Sequence, residues 1–261
     1  MPWRRQPTLV TGVRYDLHVH SAFSDGSPMA EMADAAAAAG LEGIGFADHC
    51  IPFEDAHGRR DRHDLVEHVE ERRAAIEDLR ESVDLRVFDA AEVSYDPAHE
   101  DDLTALLERA GFDYTIGSVH FAGGYHYTTP GAFEGLDEAA LEDAIDCYVD
   151  AVVAMVESGL FDVVGHVDLV ERVPALRGRL DEAARERIAD AVVAADAVVE
   201  YNAGRADREW RELHPAPPLR EALRSRGVAF TVGTDSHRPD ELGARVDHLR
   251  EAGFGADTDP V

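Results

Sequence analysis

Short apolar, β-branched runs alternate with long amphipathic stretches along this 261-residue chain, and almost every run is closed by a histidine or a carboxylate. Residues 15–20, 44–49, 86–93, 114–120, 162–166, 197–202 and 228–234 have the length and composition of strands. Between them, residues 29–39, 61–80, 101–110, 137–158, 180–195 and 218–226 carry helical periodicity, and a last helix follows the final strand. Gly40 and Gly111 mark two helix ends, residues 122–131 read as a Gly/Thr/Pro loop, and the chain from Gly255 reads as a frayed tail. About seven β/α units with no low-complexity linker predict an α/β fold. Its parallel sheet has helices outside it and is either a barrel or doubly wound.

Composition narrows the function classes. There are 53 acidic against 25 basic residues, a formal net charge of −28, and every basic residue is an arginine. Such a field argues against nucleic-acid and anionic-membrane partners, while 45% hydrophobic content argues against disorder. The acidity reads most simply as a salt-adapted, halophilic surface. Cys50 and Cys147 form no paired motif, so a disulfide framework is excluded and a reducing cytoplasm fits. Arg4 and Arg5 are followed by no apolar run, so the start does not read as a signal peptide, and no stretch approaches the roughly 18 apolar residues of a membrane span. Gly-rich phosphate loops and the GxSxG nucleophile elbow are both absent, which lowers the dinucleotide, P-loop and serine-hydrolase readings. A cytoplasmic α/β protein is expected; its oligomeric state is not legible.

The polar residues at the strand ends carry the chemistry. His18 and His20 are two apart on the first strand and so share a face. Asp25 follows in the next loop, Asp48-His49 ends the second strand, Glu92 the third, His120 the fourth and His166 the fifth. Asp235 and His237 follow the last. In a parallel barrel these ends converge on one rim, where active sites are built. Imidazole nitrogen and carboxylate oxygen are ligands of Zn²⁺, Mn²⁺ and Fe²⁺. Nine such groups exceed the needs of one ion and suit two or three with bridging carboxylates, an arrangement that hydrolyses anionic esters.

Six elements in order, Asp16-Leu-His-Val-His-Ser-Ala-Phe-Ser-Asp-Gly26, Ala47-Asp48-His49, Ala91-Glu92-Val93, Gly117-Ser118-Val119-His120, Gly165-His166 and Gly233-Thr234-Asp235-Ser236-His237, resemble the motifs of the PHP (polymerase and histidinol phosphatase) family. The resemblance covers about residues 15–245 of one PHP domain taken as 1–261. It implies a distorted seven-stranded (β/α)7 barrel with a trinuclear metal centre at the C-terminal rim. By position, His18, His20, Glu92 and Asp235 would hold one ion, Glu92, His120 and His166 a second with Glu92 bridging, and Asp25, His49 and His237 a third.

Residues 116–121, 165–172 and 200–205, with His214-Pro215 and the downstream prolines, are similar to the histidinol-phosphatase branch. The short stretch 51–60 departs from branch members that carry a longer insertion there. The resemblance implies a phosphomonoesterase of histidine biosynthesis acting on L-histidinol phosphate through a metal-bridging hydroxide. Asp235 would orient that hydroxide, and His237 or a metal-bound water would assist the leaving alcohol. Arg172, Arg205 and Arg238 are candidate phosphate contacts, Arg238 foremost because it adjoins the last motif. Glu171 and His126 are candidates for the ammonium and the ring. His57, His63, His68, His99, His214 and His248 read as solvated surface, and the Glu/Arg-rich run 67–73 as an exposed helix face. The competing readings are a phosphodiesterase or exonuclease, a phosphatase for another small ester, and a non-catalytic PHP module.

Overall fold

Seven short strands run parallel in strict chain order: β1 (Tyr15–Val19), β2 (Gly43–Cys50), β3 (Arg86–Ser94), β4 (Tyr114–Ser118), β5 (Val163–Val164), β6 (Val198–Asn202) and β7 (Phe230–Gly233). The computed structural model describes residues 3–5, 12–53, 68–129, 131–206, 212–254 and 258–260. Parallel neighbours need a crossover, and helices supply it: α1 (Met29–Ala38), α2 (Val69–Ser82), α3 (Glu100–Ala110), α4 (Glu138–Ser158), α5 (Glu182–Ala194) and α6 (Pro217–Ser225), with α7 (Pro239–Glu251) after the last strand. The barrel is nearly closed where β7 returns to β1. Val19 bridges Ser236 in parallel, Asp235 N–H donates to the His18 carbonyl at 2.7 Å, and His20 N–H donates to that of Ser236 at 2.9 Å. Below this seam the Asp16 carboxylate accepts both the backbone and the hydroxyl of Thr234; its burial lifts its pKa to about 6 against those hydrogen bonds.

Strand alternation sorts the side chains into two layers. Tyr15, Leu17, Ala47, Phe88, Ala90, Tyr114, Ile116 and Val163 fill the bore, where the Tyr114 hydroxyl donates across it to the Leu17 carbonyl at 2.6 Å. A Cβ on Gly45 would lie 1.8 Å from that hydroxyl oxygen, so only glycine fits there. Two residues further along the same faces come His49, Glu92 and Ser118, so the apolar plug ends where the polar rim begins. β1 adds a twist: its register against β2 shifts between Asp16 and Val19, which sends Val19 to the outer layer. Simple alternation from Leu17 would have turned His18 outward; the bulge places His18 and His20 on the inside.

Three readings need correction. The 67–73 run is not an exposed face: Arg72 is buried on the stripe of α2 that also carries Ile76 and Leu79, while Arg73 is half-buried and reaches Asp89 and the Ala110 carbonyl. The loop 122–131 begins inside a hairpin in which Phe121–Ala122 pairs with Tyr125–His126. Gly123 and Gly124 make its two-residue turn with φ of 59° and 84°. In the tail, Thr258–Pro260 pairs antiparallel with Trp3–Arg5. His57, His63, Glu67 and the first part of the expected second helix lie outside the described residues.

Arg72 ties the barrel wall together. Its Nε donates to Asp48 Oδ2 at 2.7 Å, Nη1 to Asp89, and Nη2 to the carbonyls of Phe46 and Ala90. Asp48 also accepts from Ser21 N–H at 2.6 Å, from the Ser21 hydroxyl at 2.8 Å and from the Ser24 hydroxyl at 2.7 Å. The loop that presents Asp25 is therefore pinned to β2 and α2. Breaking a buried ion network from one side leaves uncompensated charge and costs about 3–5 kcal/mol. Arg72→Met should lower stability in urea titration by about that amount, whereas Arg80→Met, a surface-pair control, should cost under about 1 kcal/mol.

Candidate metal centre

The rim collects the polar residues of seven strand ends around one buried carboxylate. Glu92 Oε1 lies 3.2 Å from His120 Nε2 and 2.8 Å from His166 Nε2. Its Oε2 lies 3.5 Å from His18 Nε2, 3.7 Å from His20 Nε2 and 2.8 Å from His49 Nδ1. Asp25 Oδ1 sits 3.2 Å from His237 Nε2 and 3.6 Å from His49 Nε2. Three groups each converge within a coordination shell's width: His18, His20 and Glu92; Glu92, His120 and His166; and His20, Asp25, His49 and His237. Asp235 stands at the edge of the first, with Oδ1 3.4 Å from His20 Nε2 and 3.9 Å from His237 Nδ1. Its φ of 53° lies in the left-handed region, a strained position for a non-glycine residue. The Arg245 guanidinium holds it there, donating to the Asp235 carbonyl at 2.7 Å.

The donor set fits cations. Among the described residues, five of the seven buried side-chain polar atoms without a hydrogen-bond partner are here: His18 Nε2, His20 Nε2, His49 Nδ1, Glu92 Oε2 and His166 Nδ1. Each such orphan costs about 1–3 kcal/mol unless something satisfies it. Ligand bonds of about 2.0–2.2 Å set neighbouring donors about 3 Å apart, the spacing seen around Glu92. Electrostatics agree. Burial opposes charge on Glu92 and Asp235, yet the surrounding imidazoles, and Arg172 beside Asp235, hold both carboxyls well below the usual range. Burial and the neighbouring rings of His237 and His49 depress His20 to about 4.

A second layer orients the rings. Ser94 Oγ meets His120 Nδ1 at 2.8 Å, the Ser118 hydroxyl donates to Glu92 Oε1 at 2.8 Å, and Glu200 Oε1 takes His18 Nδ1 at 2.7 Å. Glu200 Oε2 in turn accepts from His166 N–H at 3.2 Å and from Asn202 Nδ2 at 3.0 Å. Sequence reasoning gave these residues no role. Period two would have found them: Ser94 follows Glu92 by two, Ser118 precedes His120 by two, and Glu200 and Asn202 share a face of β6.

Above the cluster opens a pocket of about 690 Å³. Asp25, His49, Glu92, His120, His166, Asp235 and His237 form its floor, while His18 and His20 lie fully buried beneath. His126 and Phe121, their rings 4.9 Å apart, also line it, as do Arg172, Arg205, Arg238, Glu241 and Arg245. Arg172, not Arg238, is the arginine against the cluster: Nη2 donates to Asp235 Oδ2 at 3.1 Å, whereas Arg238 is 58% exposed and paired with Asp240 and Glu241. Glu171 is not part of the pocket wall; it is buried and accepts Gly178 N–H at 2.8 Å. His214, expected on the surface, is fully buried against Asp168 and Arg172, and His99 is half-buried, stacked on Phe53.

Comparison with known proteins gives a coherent picture. A family model described as the PHP domain matches residues 16–204. A protein of Deinococcus radiodurans named probable histidinol-phosphatase is 31% identical over 249 residues, covering 91% of this chain and 93% of that protein. The crystal structure of a putative histidinol phosphatase from Listeria monocytogenes aligns with TM-score 0.74 at 20% identity, covering 88% of this chain and 97% of that one. The histidinol phosphate phosphatase of Lactococcus lactis, solved with zinc, L-histidinol and phosphate, aligns with TM-score 0.72 at 22% identity, covering 93% and 94%. At these identities the two structures speak to the fold.

Two outcomes follow. Glu92→Gln should lower bound metal, measured by plasma emission spectroscopy on protein reconstituted with zinc, and chelation should lower the melting temperature of the wild type more than that of the variant. In the metal-free protein burial opposes the His49 imidazolium, but Glu92, Asp25 and Asp235 outweigh it and lift its pKa to about 9. A ligating imidazole must be neutral. Zinc uptake at pH 7.5 should therefore release a proton from His49, seen as a buffer-dependent heat in calorimetry, and apparent affinity should rise as pH increases toward 9.

Proposed function

The chain belongs to the PHP domain family and is a metal-dependent phosphoric ester hydrolase, and on that premise we propose that it hydrolyses L-histidinol phosphate to L-histidinol and phosphate. The observation that carries this reading is a buried carboxylate, Glu92, at the floor of an open pocket, with its two oxygens turned to two separate histidine groups and the Arg172 guanidinium nearby on Asp235. The names of the Deinococcus relative and of the Lactococcus structure support the choice of ester.

In this reading His18, His20, Glu92 and Asp235 hold one divalent ion, Glu92, His120 and His166 a second, and Asp25, His49 and His237 a third, with zinc the first candidate and manganese or iron compatible. Bound ions supply Lewis acidity and lower the pKa of water. The chain does the rest. Asp235 orients the attacking water through its carboxylate, and the departing alkoxide takes its proton from water beside His237 at the pocket floor. Arg172 engages a phosphate oxygen, with Arg205 and Arg238 nearer solvent. His126 and Phe121 face the organic half of the substrate.

The same proposal takes residues 1–261 as one PHP domain at work in the cytoplasm. The family match ends at residue 204, but β7, which carries Asp235 and His237 at its end, completes the barrel. Among the described residues no helix is long and apolar enough to cross a membrane. The all-arginine basic set and net charge of −28 make the surface salt-adapted.

Zinc-reconstituted protein in high salt, offered histidinol phosphate, other phosphomonoesters and a short single-stranded oligonucleotide, should turn over histidinol phosphate with the highest kcat/KM. Preferred cleavage of the oligonucleotide would replace this reading with a phosphodiesterase, and no turnover of any ester by metal-loaded protein would replace it with a binding module. Arg172→Ala should raise KM for the phosphoester by about tenfold or more, in line with the loss of one charge-assisted contact.

A further inference from the structure

Behind the pocket, three polar residues from two separate segments, Asp168 and Arg172 on one turn and His214 on another, form one chain. Asp168 and His214 are fully buried, 46 residues apart in sequence, and meet between Asp168 Oδ1 and His214 Nδ1. Asp168 Oδ2 accepts Ala216 N–H at 2.6 Å. His214 is pinned by exchanging backbone hydrogen bonds with Asn202, at 2.9 and 3.0 Å. On its far side, Arg172 Nε donates to His214 Nε2 at 2.7 Å, while Arg172 Nη2 donates to Asn202 Oδ1 at 2.7 Å and Asp235 Oδ2 at 3.1 Å.

The donors and acceptors in this chain allow one arrangement. A carboxylate only accepts, so His214 Nδ1 carries the proton; the arginine Nε only donates, so His214 Nε2 carries the lone pair. An imidazolium would set N–H against N–H and a second cation against Arg172. Burial, and the Arg172 charge, hold the His214 pKa below its ordinary value despite the pull of Asp168. With Nε and Nη2 committed, Nη1 is the end of the guanidinium that makes no hydrogen bond among the described residues, and Arg172 lines the pocket.

We propose that Asp168 and His214 are positioning residues: the pair fixes one neutral histidine tautomer, and that tautomer aims Arg172 at the anionic group of the substrate. The identity of that anion as a phosphoester rests on the function proposed above, whereas the tautomer and the aim of Arg172 do not.

Asp168→Asn tests it without changing shape. The Asn carbonyl must face Ala216 N–H, so its NH₂ faces His214 Nδ1, the ring changes tautomer, and Nε2–H meets Arg172 Nε–H. His214→Gln keeps a donor for Asp168 and an acceptor for Arg172, whereas His214→Leu keeps neither. Zinc-loaded proteins would be compared by calorimetric titration with inorganic phosphate, with metal content and melting temperature recorded alongside. In ¹⁵N-histidine-labelled wild type, the signal lost in His214→Gln should show the neutral Nδ1–H form, unchanged from pH 6 to 8. Phosphate affinity should fall about tenfold in Asp168→Asn and His214→Leu at unchanged metal content, and recover most of the way in His214→Gln.

An Nε2–H or imidazolium signature in the wild type overturns the proposal even if every variant misfolds. So does wild-type phosphate affinity in Asp168→Asn, or equal losses in His214→Gln and His214→Leu. If the expected pattern holds in a protein that turns over no phosphomonoester, the pair stands and the phosphoester function falls.

Discussion

Glu92 is a carboxylate with no exposure worth the name, set at 2.8–3.7 Å from five imidazoles that arrive on four different segments. Ionised groups packed so densely away from water are tolerable only when opposite charge compensates them. The rest of the molecule meets that condition. The bore below is dry and filled by Tyr114, Phe88 and their neighbours, so nothing there competes for the polar atoms. The rim above gathers the unpartnered nitrogens of His18, His20 and His49 at the same carboxylate, and cations satisfy them together.

Positioning of that kind demands rigid supports, and several of the ligands have one. Serine hydroxyls on β3 and the end of β4 fix His120 and Glu92, and Glu200 on β6 fixes His18. Asp48 and Arg72 clamp the Asp25 loop from outside the barrel. Arg245 holds the left-handed turn at Asp235. The supports are polar, buried and mutually bonded, so each is stable in place and expensive to remove singly. The same logic extends from Asp235 through Arg172 and His214 to Asp168, which places the guanidinium bonded to the Asp235 carboxylate under the control of residues that never reach the pocket surface.

The global charge and the local chemistry have opposite signs and do not conflict. The −28 is spread over an acidic chain whose helix surfaces carry exposed Asp and Glu. The pocket instead brings Arg172, Arg205, Arg238 and Arg245 to a floor built for cations. A small anionic ester is attracted at that distance, while a long polyanion would meet the acidic exterior.

Period-two and helical spacing were enough to read seven strands, seven helices and the convergence of His18, His20, Asp25, His49, Glu92, His120, His166, Asp235 and His237, because local backbone geometry and the direction of a parallel barrel fix where strand ends go. What escaped the sequence depends on contacts between segments far apart in the chain. The bulge in β1 decides which way His18 faces, and it is visible only in the pairing with β2. Arg72 and Arg73 look like surface charges until β2 and β3 surround them. Glu171 and His214 escaped for the same reason: Glu171 turns back to Gly178, and His214 is carried by the return of the chain after β6 to a site between Asp168 and Arg172. The sequence by itself determined the ligand types and the edge at which they gather. Tertiary structure decided which polar residues lie in that edge and which lie behind it, since burial and partner choice are properties of the packed chain and not of its spacing.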